Sequence, residues 1–207
     1  MRVRNSYVAL TAFCLFVAMA ASASLAKGGV PTDQIKATVD KALVVLRDPR
    51  FKAAAKAKER RDQLKQILFA RFDFNEMAKR ALGADWRRRT STEQEEFVHL
   101  FTDLLERAYT ETIESYTDEK IVYISEKLDG IFAEVASKIL TSKGEEFSIN
   151  YKAHLLGGEW RVYDVVAENI SMVNNFRSQF SRVIANSSYE ELVRRLKSKA
   201  EMGTHRN

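Results

Sequence analysis

The sequence predicts an α+β domain in which a four-stranded antiparallel, curved sheet packs against several helices. Three observations predict this: apolar residues follow helical spacing over residues 31–113, alternate with polar residues over 121–167, and return to helical spacing from residue 171. With 45% hydrophobic and 29% charged residues, the chain has a globular composition. Its 207 residues suit one domain behind a leader segment.

Residues 1–26 are typical of a secretory leader. Two arginines precede an apolar run over residues 8–21, and small residues follow it, so we expect cleavage after Ala23 or Ala26. The run is shorter than the roughly 20 residues that a membrane span needs. Cleavage would also remove Cys14, the only cysteine, so the mature protein would have no thiol nucleophile and no disulfide.

Four helices are expected ahead of the sheet, at residues 31–46, 51–69, 73–82 and 90–113. Asp73 with Glu76 has the spacing of a capping box, and the longest helix starts either at Thr90 with Glu93 or two residues later. The charged run at residues 56–62 indicates a solvated helix face.

Four strands are expected at residues 121–125, 131–139, 147–155 and 160–167, joined as a meander. Gly157 and Gly158 predict a tight hairpin turn between the last two strands. Two helices follow, at residues 171–184 and 188–196, and residues 203–207 are expected to form a disordered tail. One face of such a sheet is covered by helices and the other meets water.

Five segments are informative through their particular residues, and through their order along the chain, in addition to their periodicity. They are FDFNEMA at residues 72–78, LGADW at 82–86, TSTEQEEFVHLF at 90–101 with Leu104, Leu105, Glu106 and Tyr109 after it, GEWRVYDV at 158–165, and ISMVNNFRSQF at 170–180. Read together, they resemble the MlaC family of lipid-binding proteins, also called toluene-tolerance auxiliary proteins. The resemblance spans nearly the whole mature chain, and it implies that residues 27–202 form a lipid-binding domain.

The resemblance implies a fold similar to nuclear-transport-factor and cystatin-like proteins. It also implies a soluble periplasmic protein, a monomer, that carries phospholipid for an ABC-type intermembrane transport system and maintains outer-membrane lipid asymmetry. The implied partners are the inner-membrane MCE-domain protein of the transporter and an outer-membrane lipoprotein–porin complex. Phospholipid would be its cargo rather than a cofactor, and the chain would not be an enzyme. A hopanoid or another hydrophobic ligand is the alternative cargo.

A lipid carrier needs apolar side chains around a pocket rather than reactive groups. The sequence offers a set of aliphatic and aromatic residues from the helices and the sheet. We expect the pocket to be lined by Met77, Leu82, Trp86, Phe97, Leu100, Phe101, Leu104, Tyr109, Ile139, Ile149, Tyr151, Val162, Val165, Val173, Phe176 and Phe180. The same side chains would equally suit an ordinary packed core.

Four arginines are candidates for polar contacts. Arg87, Arg88 and Arg89 either form a solvated basic turn or meet a lipid phosphate or an acidic partner. Arg177 lies between two phenylalanines, where its stem could cover apolar surface while its guanidinium pairs with a carboxylate. Leaving out the two leader arginines lowers the formal net charge from +5 to +3, so nucleic acid is not an expected partner.

The sharpest enzymatic alternative uses Asp164. Strand alternation places it on the face of Trp160 and Val162, where burial would make it a candidate general base for an isomerase-like reaction. The competing interpretation is a carboxylate held by an arginine or by helix N–H groups. No serine elbow, phosphate loop or dinucleotide fingerprint occurs, and the spacing of the three histidines predicts no metal site.

Overall fold

The computed structural model describes residues 30–51, 53–116 and 119–204, with side chains as far as residue 198. The predicted leader, with Cys14 and both possible cleavage positions, therefore lies outside the described residues, as does His205. Within these ranges, none of the helices is both long and apolar enough to cross a membrane.

The described residues form six α-helices around one antiparallel sheet. The helices are α1 (Pro31–Arg47), α2 (Ala57–Phe69), α3 (Phe74–Leu82), α4 (Ser91–Glu114), α5 (Met172–Asn186) and α6 (Tyr189–Thr204). The strands are β1 (Lys120–Asp129), β2 (Phe132–Leu140), β3 (Glu146–Leu156), β4 (Glu159–Ala167) and β5 (Ile170–Ser171). The α+β prediction is confirmed, and part of the predicted tail belongs to α6.

The sheet is an open meander in which β1 to β5 follow one another in chain order. It has five strands, so the predicted number of four is wrong. The additional strand, β5, is two residues long and pairs with the end of β4 through Val166–Ser171 and Ala167–Ile170. Two residues are too few to show an alternating pattern, which explains why the sequence did not reveal this strand. The likeness to nuclear-transport-factor folds stays a prediction.

The second helix begins later than predicted. Residues 49–51 and 54–56 form two short 3-10 turns, and α2 starts only at Ala57. Ala53 has an extended backbone, with φ −69° and ψ 136°, and no side chain caps the second short turn or the start of α2. Without a capping oxygen, the Ala- and Lys-rich stretch has no fixed helix start, so the prediction of a helix from residue 51 is wrong.

Capping side chains do fix the starts of α3 and α4. The Asp73 carboxylate accepts the backbone N–H of Glu76 at 2.9 Å. Thr90 and Glu93 form the reciprocal capping box, in which the Glu93 carboxylate accepts the Thr90 N–H at 2.7 Å. Of the two predicted starts for the longest helix, the structure selects Thr90. Both caps satisfy backbone N–H groups that would otherwise have no partner in the helix.

A bulge in β4 reverses the predicted orientation of Asp164. Ala153 pairs with Val162, whereas the preceding residue Lys152 pairs with Asp164, so the ladder skips Tyr163. Residues paired across strands share a face of the sheet, and Ala153 and Lys152 face opposite sides. Asp164 therefore lies on the face opposite Val162, and the prediction that the two share an apolar face is wrong.

The segment between α2 and α3 continues the sheet beyond β4. The Val162 N–H donates to the Arg71 carbonyl at 2.8 Å, and its carbonyl accepts the Asp73 N–H at 2.8 Å. Phe72 forms the parallel bridge with Val162. This pairing fixes both the end of α2 and the start of α3 against the sheet, because buried backbone groups need such partners.

The buried apolar residues fall into three clusters rather than one. The largest joins α3, α4, α5 and α6 around Phe97, Phe101 and Phe180. A second lies between α1 and the sheet around Ile35 and Val135, and a third joins α1 to α2 through residues such as Val45 and Leu64. Side chains within a cluster are close-packed, as in most protein interiors. Unfilled space is therefore expected where two clusters meet rather than inside one of them.

Candidate functional site

An apolar cavity of about 140 Å³ lies between α2, α4 and the start of α3. It lies where the cluster joining α1 to α2 meets the large helical cluster. The residues around it are Arg61, Leu64, Lys65, Leu68, Phe69, Phe72, Phe74, Met77, Leu105, Glu106, Tyr109, Thr110, Ile113, Glu114 and Met172. Most of them are aliphatic or aromatic, so the cavity favours an apolar occupant over water.

Helical spacing places the two long walls of the cavity. Leu64 and Leu68 are four residues apart on α2, and Leu105, Tyr109 and Ile113 follow the same step along α4. Aromatic residues complete the lining. The rings of Phe72 and Phe74 lie 5.8 Å apart between their centroids, and those of Phe69 and Phe74 lie 4.5 Å apart. The pairing of residues 71–73 with β4 holds this aromatic group in place.

Charged side chains bridge α2 and α4 at the edge of the cavity. Lys65 Nζ lies 2.5 Å from a Glu106 carboxylate oxygen. Arg60 Nη2 lies 3.0 Å, and Arg61 Nε 3.1 Å, from oxygens of Glu114, whose side chain is only 10% exposed. Partly buried charged side chains need ion-pair or hydrogen-bond partners. Here each partner lies on the other helix, so the ion pairs connect α2 with α4 beside the cavity.

Two hydroxyl groups line the cavity, those of Tyr109 and Thr110. The Thr110 hydroxyl donates to the Glu106 carbonyl, and burial raises the pKa of the Tyr109 hydroxyl. The carboxylates at the edge are engaged by arginine and lysine. The arrangement can shelter apolar groups and hold charged groups at its rim.

The predicted pocket residues fall into several regions of the structure. Met77 and Tyr109 line the cavity, whereas Trp86 and Val173 line a separate depression. Seven others belong to or pack on the helical cluster: Leu82, Phe97, Leu100, Phe101, Leu104, Phe176 and Phe180. Val162 is buried in the sheet cluster with Tyr151 and Val165 against it, and Ile139 and Ile149 are half-buried on β2 and β3.

Most of the cavity lining was not predicted. Leu64 and Leu68 lie four residues apart within the second predicted helix, residues 51–69, and Phe72 and Phe74 belong to the first family-like segment, so the signals were present. Periodicity identifies a buried face without showing whether that face packs solidly. The arginines of α2 were interpreted as a solvated face, although Arg60 and Arg61 pair with Glu114 at the cavity edge.

Asp164 is buried, at 5% exposed, and its carboxylate is fully engaged. One oxygen accepts the Ser171 hydroxyl at 2.6 Å and the other accepts the Val173 N–H at 3.0 Å. Both donors lie at the start of α5, as the interpretation with helix N–H groups expects. A carboxylate used in this way holds β4 to α5, and Asp164 is not among the residues that line the apolar cavity.

A second, basic depression of about 290 Å³ lies beside Asp164 and includes Arg87 and Arg177. Within the described residues Arg177 forms no ion pair, so the expected pairing with a carboxylate is absent there. Its guanidinium instead lies over Gly83, where a methyl group would come 2.9 Å from the arginine Nε. Gly83 has φ +63°, which also favours glycine.

The other two arginines of the basic turn have structural contacts. Arg88 lies 3.5 Å from Asp85. Arg89 stacks over the Tyr189 ring at 4.4 Å and lies 3.6 Å from Glu93, which connects this turn to α4 and α6. Only Arg87 of the three faces the depression.

The described residues contain no group of three or more His, Cys, Asp or Glu side chains that could hold a metal ion. His154 Nε2 lies 2.8 Å from the Asp73 carboxylate, which also caps α3, and His99 lies 3.7 Å from Asp103 on the surface of α4. Each of these two histidines therefore has one carboxylate neighbour among the described residues.

Comparison with known proteins gives one consistent family. Residues 36–198 match the family model described as MlaC protein. The chain is 25% identical over 126 residues to the intermembrane phospholipid transport system binding protein MlaC of Haemophilus influenzae. It is 28% identical over 122 residues to the toluene tolerance protein ttg2D of Pseudomonas putida. Each match covers 58% of this chain, and 59% and 57% of the respective relative.

A solved structure has the same fold. It is a phospholipid-binding protein from Ralstonia solanacearum in complex with a phospholipid. The two structures superpose with a TM-score of 0.72 at 23% sequence identity, and the match covers 84% of this chain and 98% of the other.

Proposed function

Because the chain belongs to the MlaC family, we propose that it is a phospholipid carrier that shelters acyl chains in the cavity between α2 and α4. In this proposal the protein is exported to the periplasm and exchanges lipid with an ABC-type transport system and the outer membrane. Its partners are then an MCE-domain protein and a lipoprotein–porin complex. It binds and releases its cargo and does not change it chemically.

The observation that carries the proposal is the mainly apolar cavity between α2 and α4, whose charged lining residues are all held in ion pairs. Two acyl chains expose about thirty methylenes, each worth roughly 0.8 kcal/mol, so desorbing the lipid into water costs on the order of 20 kcal/mol. A carrier must offset most of this energy with dry apolar surface. Leu64, Leu68 and Leu105 supply such surface without introducing a polar group that would need a partner.

The size of the cavity defines what loading requires. Pockets for small-molecule ligands usually measure about 300–1,000 Å³, and this cavity measures about 140 Å³. Two acyl chains therefore enter only if the walls separate. We infer that α2 moves away from α4, because α2 is joined to the remainder mainly through the small cluster with α1, whereas α4 packs in the large helical cluster. Met77 and Tyr109 then contact the tails from the α3–α4 side.

Two family-level findings support phospholipid as the cargo. The Haemophilus relative is described as a phospholipid transport system binding protein, and the Ralstonia protein binds a phospholipid. The Asp164 carboxylate favours a carrier over the enzyme alternative. Both of its oxygens accept hydrogen bonds from the start of α5, so it is used to hold the fold together rather than offered to a substrate as a general base. No observation favours a hopanoid over a phospholipid.

Extraction of lipid from vesicles tests this proposal. The purified protein is mixed with phosphatidylglycerol vesicles that contain a fluorescent phospholipid, and the vesicles are then removed by centrifugation. We expect lipid in the supernatant at close to one molecule per chain. Lipid that stays entirely with the vesicles, while the protein remains folded, would overturn the proposal.

A further inference from the structure

Three cations of α2 face two carboxylates of α4 at the edge of the cavity. Lys65 pairs with Glu106, and two arginines share Glu114. Lys65, Arg61 and both carboxylates belong to the cavity lining itself. Their side chains keep part of their surface in water, so this group marks where the apolar interior opens to solvent.

We propose that Arg60, Arg61 and Lys65 form the binding site for the phosphate diester of the lipid whose tails enter the cavity, an inference that rests on the proposed function. In the structure Glu106 and Glu114 pair with these cations. In the lipid complex the phosphate replaces the two carboxylates, which turn towards solvent on α4.

The charges of the site suit this exchange. Two guanidinium groups and one ammonium group converge on the carboxylates at this edge, so a phosphate diester placed there would meet several cations at once. Guanidinium groups bind phosphate oxygens through pairs of charge-assisted hydrogen bonds, and arginine is the preferred residue for such contacts. Lysine adds a point charge to the same group.

The position of the cations explains why an anion is needed when lipid binds. Entry of the tails separates α2 from α4, and the ion pairs that span this gap at 2.5–3.1 Å must then break. Lys65 Nζ makes a cation–π contact with the Phe69 ring, 5.3 Å from its centroid, which places this cation at the apolar wall. Arg60 is only 22% exposed, so it is the cation that loses most when its carboxylate partner moves away. The phosphate reaches this edge together with the tails that opened it.

A pair of lipids with identical tails tests the site. Dipalmitoyl phosphatidylglycerol carries the phosphate and dipalmitoylglycerol does not. Their affinities for the delipidated protein are measured by displacement of a fluorescent fatty acid. We expect the wild-type protein to prefer the phosphate-bearing lipid by at least about tenfold, the range expected for charged hydrogen bonds. The Arg60→Gln/Arg61→Gln variant should lose most of this preference and keep its affinity for dipalmitoylglycerol.

Two further variants make the test specific. Lys36→Gln/Lys58→Gln removes two exposed cations that pair with Asp40 and Asp62 away from the cavity, and it should keep the full preference. Glu106→Gln removes a competitor for Lys65 and should strengthen binding of the phosphate-bearing lipid several-fold, without affecting dipalmitoylglycerol. This increase keeps the test decisive if the double arginine variant fails to fold.

The outcomes separate the head-group site from the carrier function. If the folded arginine variant keeps the wild-type preference, or if Glu106→Gln has no effect, the site is overturned while binding of both lipids still supports a carrier. If the wild-type protein binds neither lipid, the proposed function fails and the site fails with it.

Discussion

The Asp164 carboxylate accepts the backbone N–H of Val173 at 3.0 Å, across the connection from β4 to α5. Its second oxygen accepts the Ser171 hydroxyl, and Ser171 in turn accepts the N–H of Asn174 at 3.0 Å. Two side chains, those of Asp164 and Ser171, therefore cap α5 and attach it to the sheet. The bulge that skips Tyr163 makes this possible, because it turns Asp164 towards the helix.

Replacing Asp164 by alanine should destabilise the fold without emptying the cavity. The Val173 N–H and the Ser171 hydroxyl would both lose their acceptor, and a lost cap or an unsatisfied buried group costs about 1–3 kcal/mol. Urea unfolding measures the loss of stability, and lipid extraction from vesicles at low temperature measures cargo binding. Asp164→Asn keeps one acceptor oxygen and should lose less stability. An alanine variant as stable as the wild type would contradict this structural role.

Gly83→Ala should also destabilise the protein. Gly83 has φ +63° and ψ −128°, a conformation that alanine adopts at a cost of about 1–3 kcal/mol. The added methyl group would also approach the Arg177 Nε to 2.9 Å. Thermal unfolding of the variant, and of the double variant with Arg177→Ala, separates these contributions. We expect Arg177→Ala to restore only a small part of the loss, because the arginine can move and the backbone cannot.

Filling the cavity should exclude lipid while preserving the fold. Leu68 lines the cavity from α2 and is half-buried, so Leu68→Trp places its larger ring in the space that the tails would use. We expect extracted lipid to fall about tenfold or more and the thermal midpoint to change little, since the ring fills unoccupied volume. Val44→Trp, at an exposed position of α1, is the matched control. Equal lipid content in both variants would show that the tails lie elsewhere.

Stability should fall at alkaline pH through buried tyrosines. Burial raises the pKa of Tyr151 to about 12 and that of Tyr189 to about 12. In the unfolded chain these hydroxyls ionise near pH 10, so between pH 10 and about pH 12 the unfolded state binds fewer protons. The free energy of unfolding is therefore retained below pH 10 and decreases as the pH rises towards 12.

The Tyr151→Phe variant isolates this contribution. It removes one titrating hydroxyl, so its free energy of unfolding should depend less steeply on pH between 10 and 12 than that of the wild type. Urea unfolding at a series of pH values measures both slopes. Parallel slopes would show that the Tyr151 hydroxyl does not titrate late in the folded protein.

The sequence predicted correctly the helix starts that are fixed by a capping residue and its neighbours a few positions along the chain. The capping box of Thr90 and Glu93 and the cap of Asp73 fixed two helices correctly. The order of the four long strands was also predicted correctly, whereas the bulge in β4 and the short strand β5 were missed. The bulge at Tyr163 moved Asp164 to the other face, because strict alternation assumes an uninterrupted ladder.

The candidate site was predictable only in its chemical type. An apolar lining was expected, and Met77 and Tyr109 are part of it. The other lining residues lie on apolar helix faces that do not pack directly against one another. Which faces these are is decided by tertiary packing and cannot be seen in the periodicity of the sequence. The pairing of Arg60 with Glu114 joins residues 54 positions apart, so a charge run on α2 could not reveal it.

Whether the protein carries phospholipid can be measured by native mass spectrometry of the protein purified from its own cells, followed by extraction and identification of the released molecule. We expect a folded protein with additional mass equal to about one diacyl phospholipid, and loss of that mass in Leu68→Trp but not in Val44→Trp. A folded wild-type protein that carries no lipid, and takes up none when phospholipid vesicles are supplied, would contradict this expectation.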